Sequence, residues 1–305
     1  MEAKKLSDKE LMDILKIDAE TLAMFKRVRE ATIKEAGEFD RRKNRKIKVI
    51  GISGSARDEF DMAQEKSNSE ELLEKCLNYC KQLGAETELI ALRRYNIQHC
   101  KACYSTTNTQ CHFYCSCYPK GTIQADDMTN ILYDKIIEAD AIIFATPVNN
   151  FKISTPMSLF IDRCISLDGS LHPANKNKPK DKELNTKQMK FIELTADNEL
   201  PGSGMFRRAF PGKVAGIITT GHEEGAALAI SSLYMTLTHF GMLFPPFSNM
   251  YAMSSYCRST YEDKKIVTGD CYDEETKLLA QNVITAVKIS QKCKKTDWKY
   301  DYRAN

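Results

Sequence analysis

No run of about 18 apolar residues occurs in this 305-residue chain, so no membrane-spanning helix and no membrane partner are expected. The amino-terminal MEAKKLSDKELMDIL carries neither a long apolar core nor a cleavage-like site, so no secretory signal is read there. A soluble, cytoplasmic protein is expected. An excess of one charge is missing too. With 44 Lys and Arg against 41 Asp and Glu the formal net charge is +3, too small and too mixed to argue for a nucleic-acid partner. Internal repeats are absent, as are GxGxxG and GxxxxGK[ST]. The HEEG at 222–225 is not the HExxH zinc motif, so a metalloprotease is rejected.

What is present is an ordinary globular balance. Hydrophobic residues make up 42% and charged residues 28%, which excludes a wholly disordered chain. Eleven cysteines stand out. In a reducing compartment, scattered cysteines usually pack, and clustered ones more often hold metal. Five fall within 18 residues: Cys100, Cys103, Cys111, Cys115 and Cys117. Cys76 and Cys80 lie on a helical apolar stripe and read as core. Cys164, Cys257, Cys271 and Cys293 are isolated and read as structural.

Residues 1–45 read as a charged helical extension. Ser7 and Glu10 form a capping box, and a second helix fits Asp18 to about Ala36, with Gly37 as its stop. The basic run Arg41, Arg42, Lys43, Arg45, Lys46 reads as a solvated linker. Strands and helices then alternate. Strands are expected at 46–52, 86–92, 140–146 and 213–219, with GMLF (241–244) starting a fifth. Helices open at Ser67, at Asp126/Asp127, at Thr155 with Pro156, after Gly225, and over 273–290. Residues 166–212 are polar and Lys-rich and read as an inserted excursion, with one short strand at MKFIELTA. Such alternation predicts a parallel sheet covered on both faces.

Ligands of an open α/β sheet bind at the carboxyl ends of its strands. Three of these ends are unusual. The first runs Ser53-Gly54-Ser55-Ala56-Arg57 and reaches Ser67-Asn68-Ser69 at a helix start. Hydroxyls, a helix amino terminus and one Arg suit a terminal phosphate, though the same residues also make an N-capped turn. No acidic residue ends the second strand, at Leu92-Arg93-Arg94, which counts against a Rossmann site. The second end is Pro147-Val148-Asn149-Asn150-Phe151. Its amides and aromatic ring suit the edge and face of a polar heterocycle, or form a turn. The third is Thr219-Thr220-Gly221-His222-Glu223-Glu224-Gly225, where His222 either meets a ligand carbonyl or caps the loop, and where Gly221 and Gly225 let the loop approach a ligand closely.

Taken together, GISGSAR…SNSEELL and DDM…EADAIIFATPVNNFKISTPMSLFIDR resemble the NADPH-dependent FMN reductase branch of the flavodoxin-like superfamily. The resemblance covers about 46–165 and resumes near 213–243. It implies a five-stranded parallel sheet of order 2-1-3-4-5 within 46–305, and one non-covalent FMN. Ser53, Ser55, Arg57, Ser67, Asn68 and Ser69 would hold its phosphate. Pro147, Val148, Asn149, Asn150 and Phe151 would flank its ring, and Thr220, Gly221 and His222 would close the site. No catalytic side chain is required, because the ring does the chemistry. The family implies a homodimer or homotetramer with flavin near the interface. The position of 166–212, after the flavin-loop helix, suggests that it covers the flavin of a neighbouring subunit.

Iron–sulfur flavoproteins of the same superfamily carry cysteines where this chain has its 99–118 loop. Their compact CxxCxxC would place a cysteine at Thr106, and their cysteine just before the DDM helix falls at Thr122, so Cys111, Cys115 and Cys117 would substitute. Four thiolates hold a [4Fe–4S] cluster or tetrahedral zinc, and His99 or His112 could complete a mixed site. Cys100 and Cys103 are the safest ligands. Three functions stay open. One is an FMN oxidoreductase with a cluster, exchanging electrons with NAD(P)H or ferredoxin and a small-molecule acceptor. Another is an NAD(P)H-dependent FMN or quinone reductase with zinc or no metal. The last is a non-catalytic, redox-responsive interaction module.

Overall fold

The computed structural model describes residues 6–39, 45–62, 64–103, 111–195, 207–221, 223–253, 265, 267 and 269–293. Its central sheet contains β1 (Lys48–Ser53), β2 (Glu86–Ala91), β3 (Ala141–Asn149), β4 (Lys152–Ile153), β7 (Val214–Gly221) and β8 (Asn249–Met253). Five of these run parallel in the order β2-β1-β3-β7-β8, and β4 folds back antiparallel on β3. Counted along the chain, the parallel strands have the flavodoxin-like order 2-1-3-4-5. The sixth strand, β4, is an addition to the expected five.

β1, β3 and β7 are buried and apolar at most positions because helices cover both faces. Successive side chains then enter opposite layers. Ile50, Ile52, Ile142 and Phe144 join one core with Tyr133 and Ile136 of α4 (Tyr133–Glu138), Met157 and Phe160 of α5 (Thr155–Arg163), and Leu233 of α7 (Glu223–His239). Val49, Ala141, Ile143 and Ile218 join the other core. There they meet Leu72, Leu73, Cys76 and Cys80 of α3 (Asn68–Gln82) and Leu279 and Val283 of α8 (Asp270–Ser290). Cys76 and Cys80 are fully buried, as the helical stripe required. Ser67 caps α3 by accepting from the Glu70 amide, and Ser154 caps α5 by accepting from Met157.

The amino-terminal extension and the inserted excursion form a third core. α1 (Asp8–Leu15) opens with the Ser7–Glu10 capping box, and Asp18 caps α2 (Ala19–Phe39) by accepting from Thr21. The excursion supplies a two-stranded ribbon, β5 (Asp168–Ser170) with β6 (Arg207–Arg208), and α6 (Lys182–Thr195). Leu11, Leu15, Leu22 and Phe25 pack against Leu171, Ala174, Phe191 and Ile192. The Phe25 and Phe191 ring centroids are 5.7 Å apart.

Four local expectations change. MKFIELTA is helical up to Thr195, because Asn185, Gln188, Phe191 and Ile192 share one buried helical face and Asp181 accepts from the Leu184 amide as a cap. GMLF contributes a single bridge, Leu243 to Val214. Pro245 and Pro246 follow without N–H donors, and the fifth parallel strand starts at Asn249 instead. Gly37 does not stop α2, which runs to Phe39. α7 begins at Glu223, so Gly225 sits in its first turn. Among the described residues, no helix is long and apolar enough to cross a membrane.

Candidate functional site

Strand order reverses between β1 and β3, so the carboxyl ends of these strands open a crevice at the switch point. Three loops meet there. After β1 the chain turns sharply, and the Gly54 amide donates to Ala145 O at 2.8 Å. Gly54 is required by space. A Cβ there would lie 2.8 Å from both Met157 Cβ and Ser154 Oγ. Ser154 Oγ donates to Gly54 O, tying the β1 loop to the start of α5.

The hydroxyls of the first loop have distinct duties. Ser53 is fully buried and donates to Glu70 Oε2 at 2.6 Å. Ser55 accepts from the Arg57 amide, and Ser67 lies 3.2 Å from Ser69. Arg93 binds Glu70 with both guanidinium nitrogens and also reaches Asp58 at 2.8 Å. Burial alone would raise the Glu70 carboxyl, but hydrogen bonds from Arg93 and Ser53 outweigh it and hold it below its ordinary value. Arg93 is thus committed to the protein. Arg57 is half-buried, and among the described residues no carboxylate pairs with it. Asn68 Oδ1 is buried without a hydrogen-bond partner. With the amide turned over, the same position offers an N–H.

The second loop is a hairpin rather than an open turn. Val148 pairs with Ile153 and Asn149 with Lys152. Asn150 and Phe151 form its two-residue tip, with φ of 49° and 64°, the signature of a primed turn. Phe151 holds a left-handed backbone that a bulky residue rarely adopts, and its side chain stays largely exposed. Asn149 and Asn150 are exposed, and Pro147 and Val148 half-buried. Beneath the hairpin, a Cβ on Gly225 would meet Val148 Cγ1 at 2.5 Å and Phe151 Cα at 2.8 Å. The close approach anticipated for that glycine is therefore to the hairpin.

In the third loop, Thr219 and Thr220 are buried at the end of β7, and Thr219 pairs in register with Thr146. Thr219 Oγ1 is buried without a partner. Gly221 ends the strand, and His222 lies outside the described residues. Asn68 and Thr219 thus place unsatisfied polar atoms on two of the three loops, where buried groups are normally paired. They fit a polar ligand such as a flavin phosphate and its sugar chain. The sequence named Asn68 for this role. It did not single out Thr219, nor the Glu70–Arg93 brace, which an acid in the first turn of α3 and an Arg just after β2 could have suggested.

The cysteine-rich loop leaves β2 and returns at Asp126. Cys111 and Cys115 are buried, and Cys100, Cys103 and Cys117 half-buried. Cys103 and Cys117 approach to 3.7 Å between sulfurs. A hydrogen bond from the Cys117 thiol, the Arg163 charge, and the Cys117 and Tyr118 amides bring Cys115 down to about 6. Burial pushes Cys111 and Cys100 up, and hydrogen bonds to Cys103 and Cys115 push Cys117 up. The donor set suits a soft metal or a cluster. Among the described residues, however, no three His, Cys, Asp or Glu side chains converge on one centre. Burial drives His112 down to about 4, and its Nδ1 lies 2.6 Å from Ser116 Oγ. Cys164 is buried as expected. Cys271 is exposed, and Cys257 lies outside the described residues.

The chain is similar to known proteins. Over 118 residues the chain is 31% identical to an iron–sulfur flavoprotein of Methanocaldococcus jannaschii, covering 39% of this chain and 50% of that protein. Over 117 residues it is 32% identical to an iron–sulfur flavoprotein of Archaeoglobus fulgidus, covering 38% and 48%. The chain spans about half the length of these curated relatives. Among solved structures, RosB with bound 8-demethyl-8-formylriboflavin-5'-phosphate superposes with a TM-score of 0.56 at 17% identity, covering 82% of this chain and 83% of that one. At that identity the likeness is one of fold. Residues 47–254 match the NADPH-dependent FMN reductase family. That span holds all three strand-end loops and the cysteine-rich loop, and the chain belongs to this family.

Proposed function

We propose that this chain is an FMN-dependent oxidoreductase with an iron–sulfur cluster in its cysteine-rich loop. The observation that carries the flavin reading is the pair of unpartnered buried atoms, Asn68 Oδ1 and Thr219 Oγ1, on two of the three strand-end loops, the first of which also offers Arg57. Arg57 binds the phosphate, assisted by Ser55, Ser67, Asn68, Ser69 and the amino terminus of α3. Ser53 supports this site from below through Glu70. Pro147, Val148, Asn149, Asn150 and Phe151 flank the ring, and Thr220, Gly221 and His222 close its other side. When bound, FMN supplies one- and two-electron redox chemistry.

The cluster would be held by Cys100 and Cys103 with two of Cys111, Cys115 and Cys117. The names of the relatives, the five thiols and the stabilised Cys115 thiolate support this. Electrons would pass between NAD(P)H or a ferredoxin-type donor and a small-molecule acceptor, in a homodimer or homotetramer. A second reading is an NAD(P)H-dependent FMN or quinone reductase with zinc or no metal, and the lack of convergence among the described ligand groups favours its metal-free form. Anaerobic purification with absorption spectroscopy and iron, zinc and acid-labile sulfide assays decides between them. Flavin bands with matching iron and sulfide support the first reading, and flavin with zinc or no metal supports the second. Failure to bind FMN in titration overturns both.

A further inference from the structure

The outer face of α7 serves neither the crevice nor the three cores. Residues 225–257 contain no Asp, Glu, Lys or Arg, although charged residues make up 28% of the chain. Within this stretch α7 buries Ala226, Ala229, Leu233 and Leu237. Its opposite side is exposed and carries Leu228, Ser231, Ser232, Met235 and Thr238. Leu228 is 62% exposed and Met235 70%. α8, which covers the other layer, turns Glu274, Glu275, Lys277 and Lys288 to solvent instead. A surface helix ordinarily sets charged and polar residues opposite its buried stripe. α7 breaks that pattern on the side it leaves open.

The patch continues past the helix. The Tyr234 and Phe244 ring centroids are 4.7 Å apart, which joins α7 to the segment leading into β8. Met250 and Ala252 of β8 enter the α8 layer, so Tyr251 between them stands on the α7 side, where it is half exposed. Taken at about 200 Å² a side chain, the exposed parts of Leu228, Tyr234, Met235 and Tyr251 come to roughly 450 Å². A patch of that size marks an interaction site. It is also more than half of the about 800 Å² that each partner gives to a stable interface.

The missing charge selects the partner. An uncharged patch offers nothing to a protein steered by electrostatics. It does suit a copy of itself, because residues near a two-fold axis face their own kind and any charge there meets a like charge. The stripe is also symmetric about the point between Ser231 and Ser232. Leu228 lies three residues before the first serine and Met235 three after the second. Two α7 helices crossing antiparallel at that point set Leu228 of one copy against the partner's Met235. The small serines then lie where the backbones come closest. Opposed helix ends bring the negative carboxyl end of each helix beside the positive amino end of the other.

We propose that the exposed face of α7 is a self-association surface, on which two copies of this chain pack antiparallel about Ser231 and Ser232. It rests on the flavin-enzyme reading for the expectation of a homo-oligomer, and it names the surface. Gly225, in the first turn of α7, lies beneath the Val148–Phe151 hairpin, so the interface begins beside the flavin crevice.

The test is sedimentation velocity of the full chain from about 1 to about 100 μM, with and without FMN. The parent should be a dimer or larger. Leu228→Lys and Met235→Glu should each weaken association by about tenfold or more. The double variant Leu228→Lys/Met235→Glu should return to within about threefold of the parent, because each new ammonium faces a new carboxylate on the other copy. Ser232→Lys, which sets like charges at the axis, should dissociate the pair. A monomeric parent at the highest concentration overturns the proposal, and so does unchanged association in the single variants. A double variant as weak as the singles overturns the antiparallel packing. Where circular dichroism shows that a charged variant has not folded, Leu228→Gln/Met235→Gln replaces it, and unchanged association there also overturns the proposal. If the parent binds no FMN in fluorescence titration, the flavin reading falls while the association result stands by itself.

Discussion

Arg93 grips Glu70 with both guanidinium nitrogens, at 2.5 and 2.9 Å, where β2 ends beside the first turn of α3. The side chains are 8% and 4% exposed. This pair anchors the helix whose amino terminus faces the crevice. Removing one partner strands a buried charge, so Arg93→Met should cost about 3–5 kcal/mol in urea unfolding. Replacing both with apolar residues should recover most of that loss.

The same pair sets an acid limit. The Glu70 carboxyl is held below its ordinary value, so the unfolded chain binds more protons as pH falls. Its contribution is complete above about pH 4.3, the unfolded carboxyl value, and is lost as pH drops through the folded value. Asp126, lowered by Arg163 and the Gln98 amide against the opposing effect of burial, behaves alike. Thermal midpoints measured from pH 6 to pH 3 should fall, and Glu70→Gln should flatten the lower part of the curve.

Arg57 is predicted to bind phosphate and to contribute little to folding. Arg57→Ala should weaken FMN affinity by about 10–100-fold, the effect of losing charge-assisted hydrogen bonds of about 1.5–3 kcal/mol. The thermal midpoint of the flavin-free protein should hardly move. Flavin fluorescence titration with calorimetry of the same sample checks both.

At the hairpin tip, Phe151→Gly should stabilise the flavin-free protein by about 1 kcal/mol, because glycine accepts the left-handed backbone at φ 64°. Flavin affinity should fall, because the exposed ring is gone. Denaturant midpoint and FMN titration should therefore move in opposite directions. Gly225→Ala should instead destabilise by about 1–3 kcal/mol, since its Cβ would meet Val148 Cγ1 at 2.5 Å.

In the third core, Phe191→Ala should cost about 3–5 kcal/mol locally. The prediction is release of residues 6–39 to protease while the sheet stays protected. Equal exposure of the sheet would show that the third core is not a separate unit of stability.

Much of this fold was legible from local pattern. The stripe Leu72, Leu73, Cys76, Leu77, Cys80 required a one-sided helix, and α3 buries those residues. Apolar runs after position 46 required a covered parallel sheet, and their order in space followed the family resemblance. MKFIELTA was misread because a short apolar run looks alike as strand or helix, and only the neighbouring helices decide. GMLF was misread because its one bridge stops at Pro245.

The sequence by itself determined most of the helices, strands and turns, MKFIELTA and GMLF excepted, since periodicity, caps and prolines act within a few residues. It also marked Arg57, Asn68 and the five clustered cysteines as chemistry-bearing. Only the tertiary structure decided which charges are spent. Arg93 and Glu70 lie 23 positions apart, and Arg163 and Asp126 37. Those pairings, and the packing of Phe25 on Phe191, come from the closing of the sheet and its insertions. Burial then fixes them, because a charge out of water must find its partner wherever the fold has brought it.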